Sequence, residues 1–347
     1  MILNVDVKCI RHHVGHQGVV TLKKKYQAVL AILFTVLLVV GCGSQANGGS
    51  QADDSQPAAK KTEAAREIKH ELGTTEVKGS PKRVVVLEFS FVDALASLDL
   101  KPVGIADDGN KDRILKTLAD KIGDYTSVGT RKQPSLEVIS SLQPDLIIAD
   151  WKRHKAIYED LKQIAPTIVL KSLEASYEDN LASFQTIADA LNMSEEGKQR
   201  LEQHKDKINA LKAQVPPSDE KQTVMSAALR KESFKAHTSS SYDGAVLEKV
   251  SLMNAIQDPK EPYAELTLEQ LLNINPDILF LMKTDGEQTI VDEWSVNPLW
   301  QELKAVKNKK VIEVDRNLWT RWRGIVAGEL MMEEAISKLY GSGKVEK

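Results

Sequence analysis

The sequence predicts an α/β fold: two similar lobes with mostly parallel sheets, joined by a single long linking helix. Three observations predict it. The stretch Ser135-Leu136-Glu137 through Asp150 returns in the second half as Thr267-Leu268-Glu269 through Met282, with the same parts in the same order. Short apolar runs alternate with amphipathic segments in both halves, the pattern of a parallel sheet covered on both faces. Between the halves, Ser194 to Val215 is long and charged, with only a narrow apolar stripe of Leu201, Ile208, Leu211 and Val215.

Each repeated unit has a local physical reading. Ser135 or Thr267 suits a helix N-cap, and the Glu two residues on favours the positive end of the helix dipole. Pro144 or Pro276 then turns the chain out of the helix. Leu146-Ile147-Ile148-Ala149 and Ile278-Leu279-Phe280-Leu281 are uninterrupted apolar runs, as expected of strands buried on both faces. A unit used only twice indicates two related lobes and no solenoid.

The chain opens with residues that read as a leader. Lys23-Lys24-Lys25 precedes an almost uncharged stretch from Ala28 to Val40, too short for a settled transmembrane helix and typical of a secretory signal. Residues 1 to 21, with His12, His13 and His16, are either an upstream translation start or a long leader. Leu38-Val39-Val40-Gly41-Cys42 resembles the lipobox of bacterial lipoproteins. That resemblance implies cleavage before Cys42, a lipid on its sulfur and attachment to the outer face of a cell membrane. Cys9 is the only other cysteine, so the folded part has no disulfide and depends on its core.

Residues 1–41 carry five of the 46 Lys and Arg residues and one of the 49 acids, so their removal takes the formal charge from −3 to −7. That balance argues against nucleic acid as a partner. Residues 42–66 continue as Gly, Ser, Gln, Ala and charge, the composition of a flexible tether.

The first lobe is expected over residues 67–193. It begins with a hairpin from Ile68 to Val77 around Gly73, followed by a strand from Arg83 to Leu87 and a helix from Phe91 to Leu98. A strand at Val103 to Ala106, a helix from Ile114 to Ile122 and the first repeated unit come next, then a helix from Ile157 to Ile164 and a strand from Thr167 to Leu170. Residues 194–215 form the linking helix: Ser194 can cap it, Glu195 and Glu196 suit its first turn, and Pro216-Pro217 stops it. At that length it spans about 30 Å. An ordinary surface helix within one domain is the other reading. The second lobe, 216–347, has a strand from Thr223 to Leu229, a helix from Gly244 to Leu252 and the second repeated unit. A helix around Pro298 to Leu303, a strand from Val311 to Val314 and a closing helix from Ile325 to Leu339 complete it. Two such lobes would hold a ligand in the cleft between them, where strands end.

The richest stretch for chemistry is Arg316-Asn317-Leu318-Trp319-Thr320-Arg321-Trp322-Arg323, read as a loop after the Val311 strand. Guanidiniums are permanently charged, bind carboxylates as a fork and stack on aromatic faces, so this segment suits an anionic, oxygen-rich ligand. Arg113, Arg131 and Arg153 follow strand-like runs of the first lobe, and Arg230, Lys231 and His237 follow the first strand of the second. No G-x-S-x-G, H-E-x-x-H or P-loop motif is present. His70, His154, His204 and His237 are well separated, so no intrinsic cofactor is expected and a metal would arrive already chelated. A surface hydrolase using Asp243, His237 and Ser239 to Ser241 is the rival reading, although no nucleophile turn frames them.

Together the lipobox, Pro81-Lys82-Arg83-Val84-Val85-Val86, the two Leu-Glu units with Pro-Asp after them, the long linking helix and Leu318 to Arg323 resemble the iron-siderophore substrate-binding lipoproteins of ABC importers. The resemblance covers the chain from about residue 36 onward. It implies a monomeric receptor that delivers a ferric chelate to an ABC permease, with Glu137 and Glu269 docking on permease arginines. It also implies a pocket lined by Arg113, Arg131, Arg153, Lys231, His237, Arg316, Arg321 and Arg323, with Trp319 and Trp322 close by. So many guanidiniums rank ferric citrate or another carboxylate siderophore first, a catecholate second and a weakly charged hydroxamate third.

Overall fold

The Pro-Asp step of each repeated unit fixes the start of the strand beside it. The carboxylate of Asp145 accepts hydrogen bonds from the amides of Lys82 (2.8 Å) and Arg83 (2.9 Å). Asp277 does the same for Thr223, through its amide (2.9 Å) and its hydroxyl (3.0 Å). In both units the hydroxyl residue is the N-cap, Ser135 accepting from the Val138 amide and Thr267 from the Gln270 amide. The duplication is therefore structural as well as textual: each copy builds a helix, turns at Pro-Asp, and supplies a strand pinned to its neighbour.

The computed structural model describes residues 65–217, 222–284 and 286–341. The leader, the Cys42 anchor and nearly all of the tether read from the sequence lie outside the described residues. Thirteen strands are described: β1 (Ala65–His70), β2 (Gly73–Lys78), β3 (Val84–Val86), β4 (Gly104–Ile105), β5 (Thr126–Ser127), β6 (Leu146–Asp150), β7 (Thr167–Leu170), β8 (Thr223–Arg230), β9 (Ser233–His237), β10 (Met253–Asn254), β11 (Tyr263–Glu265), β12 (Ile278–Lys283) and β13 (Val311–Asp315). β1 and β2 form the N-terminal hairpin. The first sheet runs β5-β4-β3-β6-β7 and is parallel throughout. The second runs β11-β9-β8-β12-β13, with β8, β12 and β13 parallel and β9 and β11 antiparallel. The repeated strand, β6 or β12, holds the same place in both sheets, and both are almost wholly buried.

Several elements differ from the sequence reading. A helix over Tyr177–Ala190 was not expected, although Ser176 and Asp179 form a full capping box at its start. The strand β9, which lies between β8 and β11, and the short strands β10 and β11 were also missed, β9 running only over Ser233 to His237. The linking helix spans Ser194–Lys212, with Met193 at the cap position and Ser194 inside the first turn. Arg316–Arg321 is a helix and not a loop, capped by Asp315, whose carboxylate accepts from the Leu318 amide at 2.7 Å. Among the described residues, no helix is long and apolar enough to cross a membrane.

Asp93 and Phe89 help join the lobes at the base of the cleft. Asp93, on the Phe89–Ser97 helix of the first lobe, accepts hydrogen bonds from the amides of Val326 (3.1 Å) and Ala327 (2.8 Å). It thereby satisfies open donors at the start of the closing helix, Ile325–Tyr340, and places a carboxyl at its positive end. Gly324 permits this approach: its φ is +127°, and a Cβ there would lie 2.6 Å from the Asp93 carboxyl carbon. Beside it, the Phe89 ring stacks on Trp322 at 4.8 Å between centroids and carries the Arg131 guanidinium on its face at 4.4 Å. The linking helix joins in through His204, which bonds the Tyr177 hydroxyl (2.6 Å) and Glu329 (2.7 Å).

Three outcomes follow for stability. Gly324→Ala should cost at least about 1–3 kcal/mol, read as a lower Tm, because a side chain is strained there and strikes Asp93. Phe89→Ala should cost about 3–5 kcal/mol by emptying the stack. Burial pushes the Asp93 carboxyl from 3.8 up to about 7, although the Ala327 and Val326 amides oppose the rise. An acid raised in the folded state binds its proton more tightly when folded, so that contribution is complete below the unfolded value and is lost as pH rises through the folded one. Urea midpoints of the wild type should therefore fall from about pH 4 to about pH 7, and Asp93→Asn should flatten the fall.

Candidate functional site

Parallel strands bring their C-terminal ends to one edge of each sheet, and the charged residues follow those ends. In the first lobe Glu88 follows β3, Asp108 follows β4, Arg131 follows β5 and Arg153 follows β6. In the second lobe Arg316 follows β13, and Arg230 ends β8. Between the two sheets lies a cavity of about 620 Å³, lined by Leu173 and Glu174 from the first lobe and by Arg230, His237, Tyr263, Arg316, Arg321 and Arg323 from the second.

The guanidiniums of the first lobe are held by two internal carboxylates. Asp108 takes Arg131 in a fork, at 3.0 Å from Nε and 2.8 Å from Nη2, and also pairs with Arg113. Glu88 lies 3.4 Å from Arg131 Nη1 and in ion-pair contact with Arg153 Nε. Glu88 Oε1 and Arg153 Nε touch without hydrogen-bonding geometry, so that contact is electrostatic. Burial pushes the Glu88 carboxyl up, against the pull of Arg131, Arg153 and Arg323 and with Asp150 adding to the rise. Asp108 goes the other way: burial would raise it, but the hydrogen bonds and charge of Arg131, with Arg113, hold it below its ordinary range. The Arg113 carbonyl reaches across the cleft, accepting from Asn317 Nδ2 and Trp322 Nε1, both at 2.9 Å.

The second lobe leaves its cations freer. Arg316 Nη1 donates to the carbonyls of Leu229 (2.8 Å) and Met282 (3.1 Å), at the ends of β8 and β12, which anchors the Arg316–Arg321 helix. Among the described residues, Arg321 has no carboxylate within ion-pair distance. Burial holds its guanidinium below the ordinary value, and so do the charges of Arg113, Arg316 and Arg131. Those neighbours come from both lobes, although Arg113, Arg131 and Arg153 do not line the cavity itself. Arg323 is buried, with Nη2 3.4 Å from the Tyr263 hydroxyl.

His237 stands edge-on to Tyr263, 4.8 Å between ring centroids, with Nδ1 2.7 Å from Asp243 Oδ1. Ser226 donates to the other Asp243 oxygen at 2.6 Å. Burial would raise the Asp243 carboxyl, but His237 and then Ser226 outweigh it and hold it below its ordinary range. With Nδ1 engaged, Nε2 is the His237 nitrogen available to the cavity. The nearby serines are used structurally: Ser241 caps the Tyr242–Lys249 helix and donates to the Thr238 carbonyl, and Ser239 donates to the Asp258 carbonyl. Among the described residues, the side-chain hydrogen-bond partner of His237 is Asp243 and not a nucleophile. Among the described residues, no group of three His, Cys, Asp or Glu could hold a metal ion.

Some expected site residues are placed elsewhere. Trp319 is 2% exposed, donating to Glu334 at 2.7 Å beside Phe280, and Trp322 is fully buried against Phe89. Both indoles are core, and they support the arginines without facing the cavity. Lys231 is exposed at the β8–β9 turn and lines a side crevice with Arg230, Glu287, Arg316 and Arg321. Tyr263, Glu88 and Asp108 were not anticipated; Glu88 stands directly after the apolar run ending at Leu87, where a strand-end search finds it. Glu137 and Glu269 are both exposed, each the second residue of the helix in its repeated unit.

Comparison with known proteins agrees with this architecture. Residues 84–318 match the model of a family described as periplasmic binding protein. The chain is 50% identical over 322 residues to the Fe(3+)-citrate-binding protein YfmC of Bacillus subtilis (strain 168), covering 92% of this chain and 99% of that one. It is 40% identical over 272 residues to the Fe(3+) dicitrate-binding periplasmic protein FecB of Escherichia coli (strain K12), covering 78% and 89%. Among solved structures, Staphylococcus aureus SirA complexed with staphyloferrin B superposes with a TM-score of 0.67 at 27% identity, over 79% of this chain and 97% of that one. The chain belongs to the periplasmic binding protein family.

Proposed function

We propose that this protein is a monomeric, lipid-anchored receptor on the extracellular face of the cell membrane. It captures an anionic ferric chelate, ferric citrate or a related carboxylate siderophore, and hands it to an ABC permease. One observation carries the choice of ligand class: Arg230, Arg316, Arg321 and Arg323 line one cavity, and Arg321 has no carboxylate partner among the described residues while the charges of Arg113 and Arg131 act on it from the other lobe. An anion rich in outward-facing oxygens would relieve that crowding through charge-assisted hydrogen bonds. Relatives named for ferric citrate support the same reading. In this reading Arg113, Arg131 and Arg153 hold the ligand from one lobe, and Arg316, Arg321, Arg323 and His237 from the other. Members of this family are substrate-binding proteins, and the cavity binds without turnover.

Cys42 is the lipidated residue, and Glu137 with Glu269 dock the loaded receptor. Their matched positions in the two units support that role, one exposed carboxylate per lobe. Calorimetric titration with ferric citrate tests the ligand class. Arg321→Ala should weaken binding by about 1.5–3 kcal/mol, roughly ten- to a hundredfold, whereas Lys69→Ala on the exposed hairpin should change nothing. Tighter binding of a ferric catecholate than of ferric citrate would reverse the ranking. Replacing Glu137 and Glu269 together by Ala should abolish iron uptake by cells and leave affinity in solution unchanged; lost affinity would refute docking.

A further inference from the structure

The cationic cleft contains its own anions. Arg230, Arg316, Arg321 and Arg323 line the cavity, the charges of Arg113 and Arg131 act on Arg321 from the first lobe, and Glu88 and Asp108 lie among the guanidiniums of Arg113, Arg131 and Arg153. Neither carboxylate is on the surface: the Glu88 side chain is 1% exposed and that of Asp108 14%. Glu88 sits at the N-cap position of the Phe89–Ser97 helix without capping it, and its Oε1 has no hydrogen bond. The second lobe has no matching carboxylates on Arg316 or Arg321 among the described residues. The charge of the cleft is therefore uneven: carboxylates in contact damp one wall, while on the other Glu265 and Glu287 lie nearby without pairing Arg316 or Arg321, which leaves that wall more open.

We propose that Glu88 and Asp108 are built-in counter-ions that set how much negative charge a ligand must bring, and so decide between a large multi-anionic chelate and small inorganic anions. A sulfate or phosphate reaching Arg131 or Arg153 meets guanidiniums already engaged by carboxylates, and like charge nearby opposes it. A bulky chelate can spread its carboxylates over the open wall, Arg316 and Arg321, while touching the damped one. Specificity then comes from a repulsive element placed inside an attractive site. This inference rests on the proposed anionic-chelate function and assigns residues that set selectivity within it.

The test compares wild type, Glu88→Gln, Asp108→Asn and Glu88→Asp. The apparent Kd for ferric citrate is measured in chloride and in sulfate at equal ionic strength. The ratio of the sulfate to the chloride value should be the same in wild type and Glu88→Asp, and at least about threefold larger in Glu88→Gln and Asp108→Asn. Equal ratios in all four proteins, or a uniform loss of affinity without a change in ratio, would overturn the proposal. Asp108→Asn, at the less buried position, decides the matter if Glu88→Gln does not fold. The rise in Tm from chloride to sulfate gives the same comparison without ferric citrate. A wild type that ignores ferric citrate while the Tm pattern holds would count against the transport function, not against the counter-ions.

Discussion

Mutual repulsion among arginines is the constraint on which the rest of this structure depends. Guanidiniums stay charged at any physiological pH, and gathering several at one cleft is unfavourable until an anion arrives. The protein meets this by tying most of them to something. Arg113 and Arg131 are bound to Asp108, Arg153 touches Glu88, Arg316 is held by the strand-end carbonyls of Leu229 and Met282, and Arg323 is buried beside Tyr263. Among the described residues Arg321 and Arg230 are left without a carboxylate partner, and the charges of Arg113, Arg316 and Arg131 act on Arg321. A site so arranged suits an anion, and the arginines with fewest partners would gain most from it.

The lobes must also be held at the separation this requires. The contacts at the base of the cleft do so with few parts: Asp93 bonding the first amides of the closing helix, Gly324 allowing its approach, and the Arg131, Phe89 and Trp322 stack. The same stack positions Arg131 and ties its ring support to the segment that bears Arg321 and Arg323. Packing between lobes and presentation of cations are thus one set of contacts. A substitution at Phe89 would act on both.

Much of this could be read in the sequence, and the remainder failed for identifiable reasons. The two repeated units, the apolar strands and the linking helix were legible because their signals are local: a hydroxyl cap, a Pro-Asp step, an uninterrupted apolar run. The arginines stood out because Arg clustered after predicted strands is unusual, and Arg316, Arg321 and Arg323 line the cavity while Arg113, Arg131 and Arg153 do not. The Trp residues were misjudged because 316–323 was read as a loop. On a helix, Leu318, Trp319 and Trp322 fall on one face, the spacing of a core stripe, while Arg316, Thr320 and Arg321 point elsewhere. The short edge strands and Tyr263 depend on pairing across the chain, which no local pattern announces. Glu88 and Asp108 were passed over because a single acid in a sequence does not show which cation it will face.

The most direct measurement is a crystal structure of the protein soaked with ferric citrate. The account predicts an iron chelate between the two sheets, with its carboxylates contacting Arg321 and Arg316 on one side and Arg131 or Arg153 on the other. A chelate bound outside this crevice, or one whose oxygens meet no guanidinium of the second lobe, would contradict it.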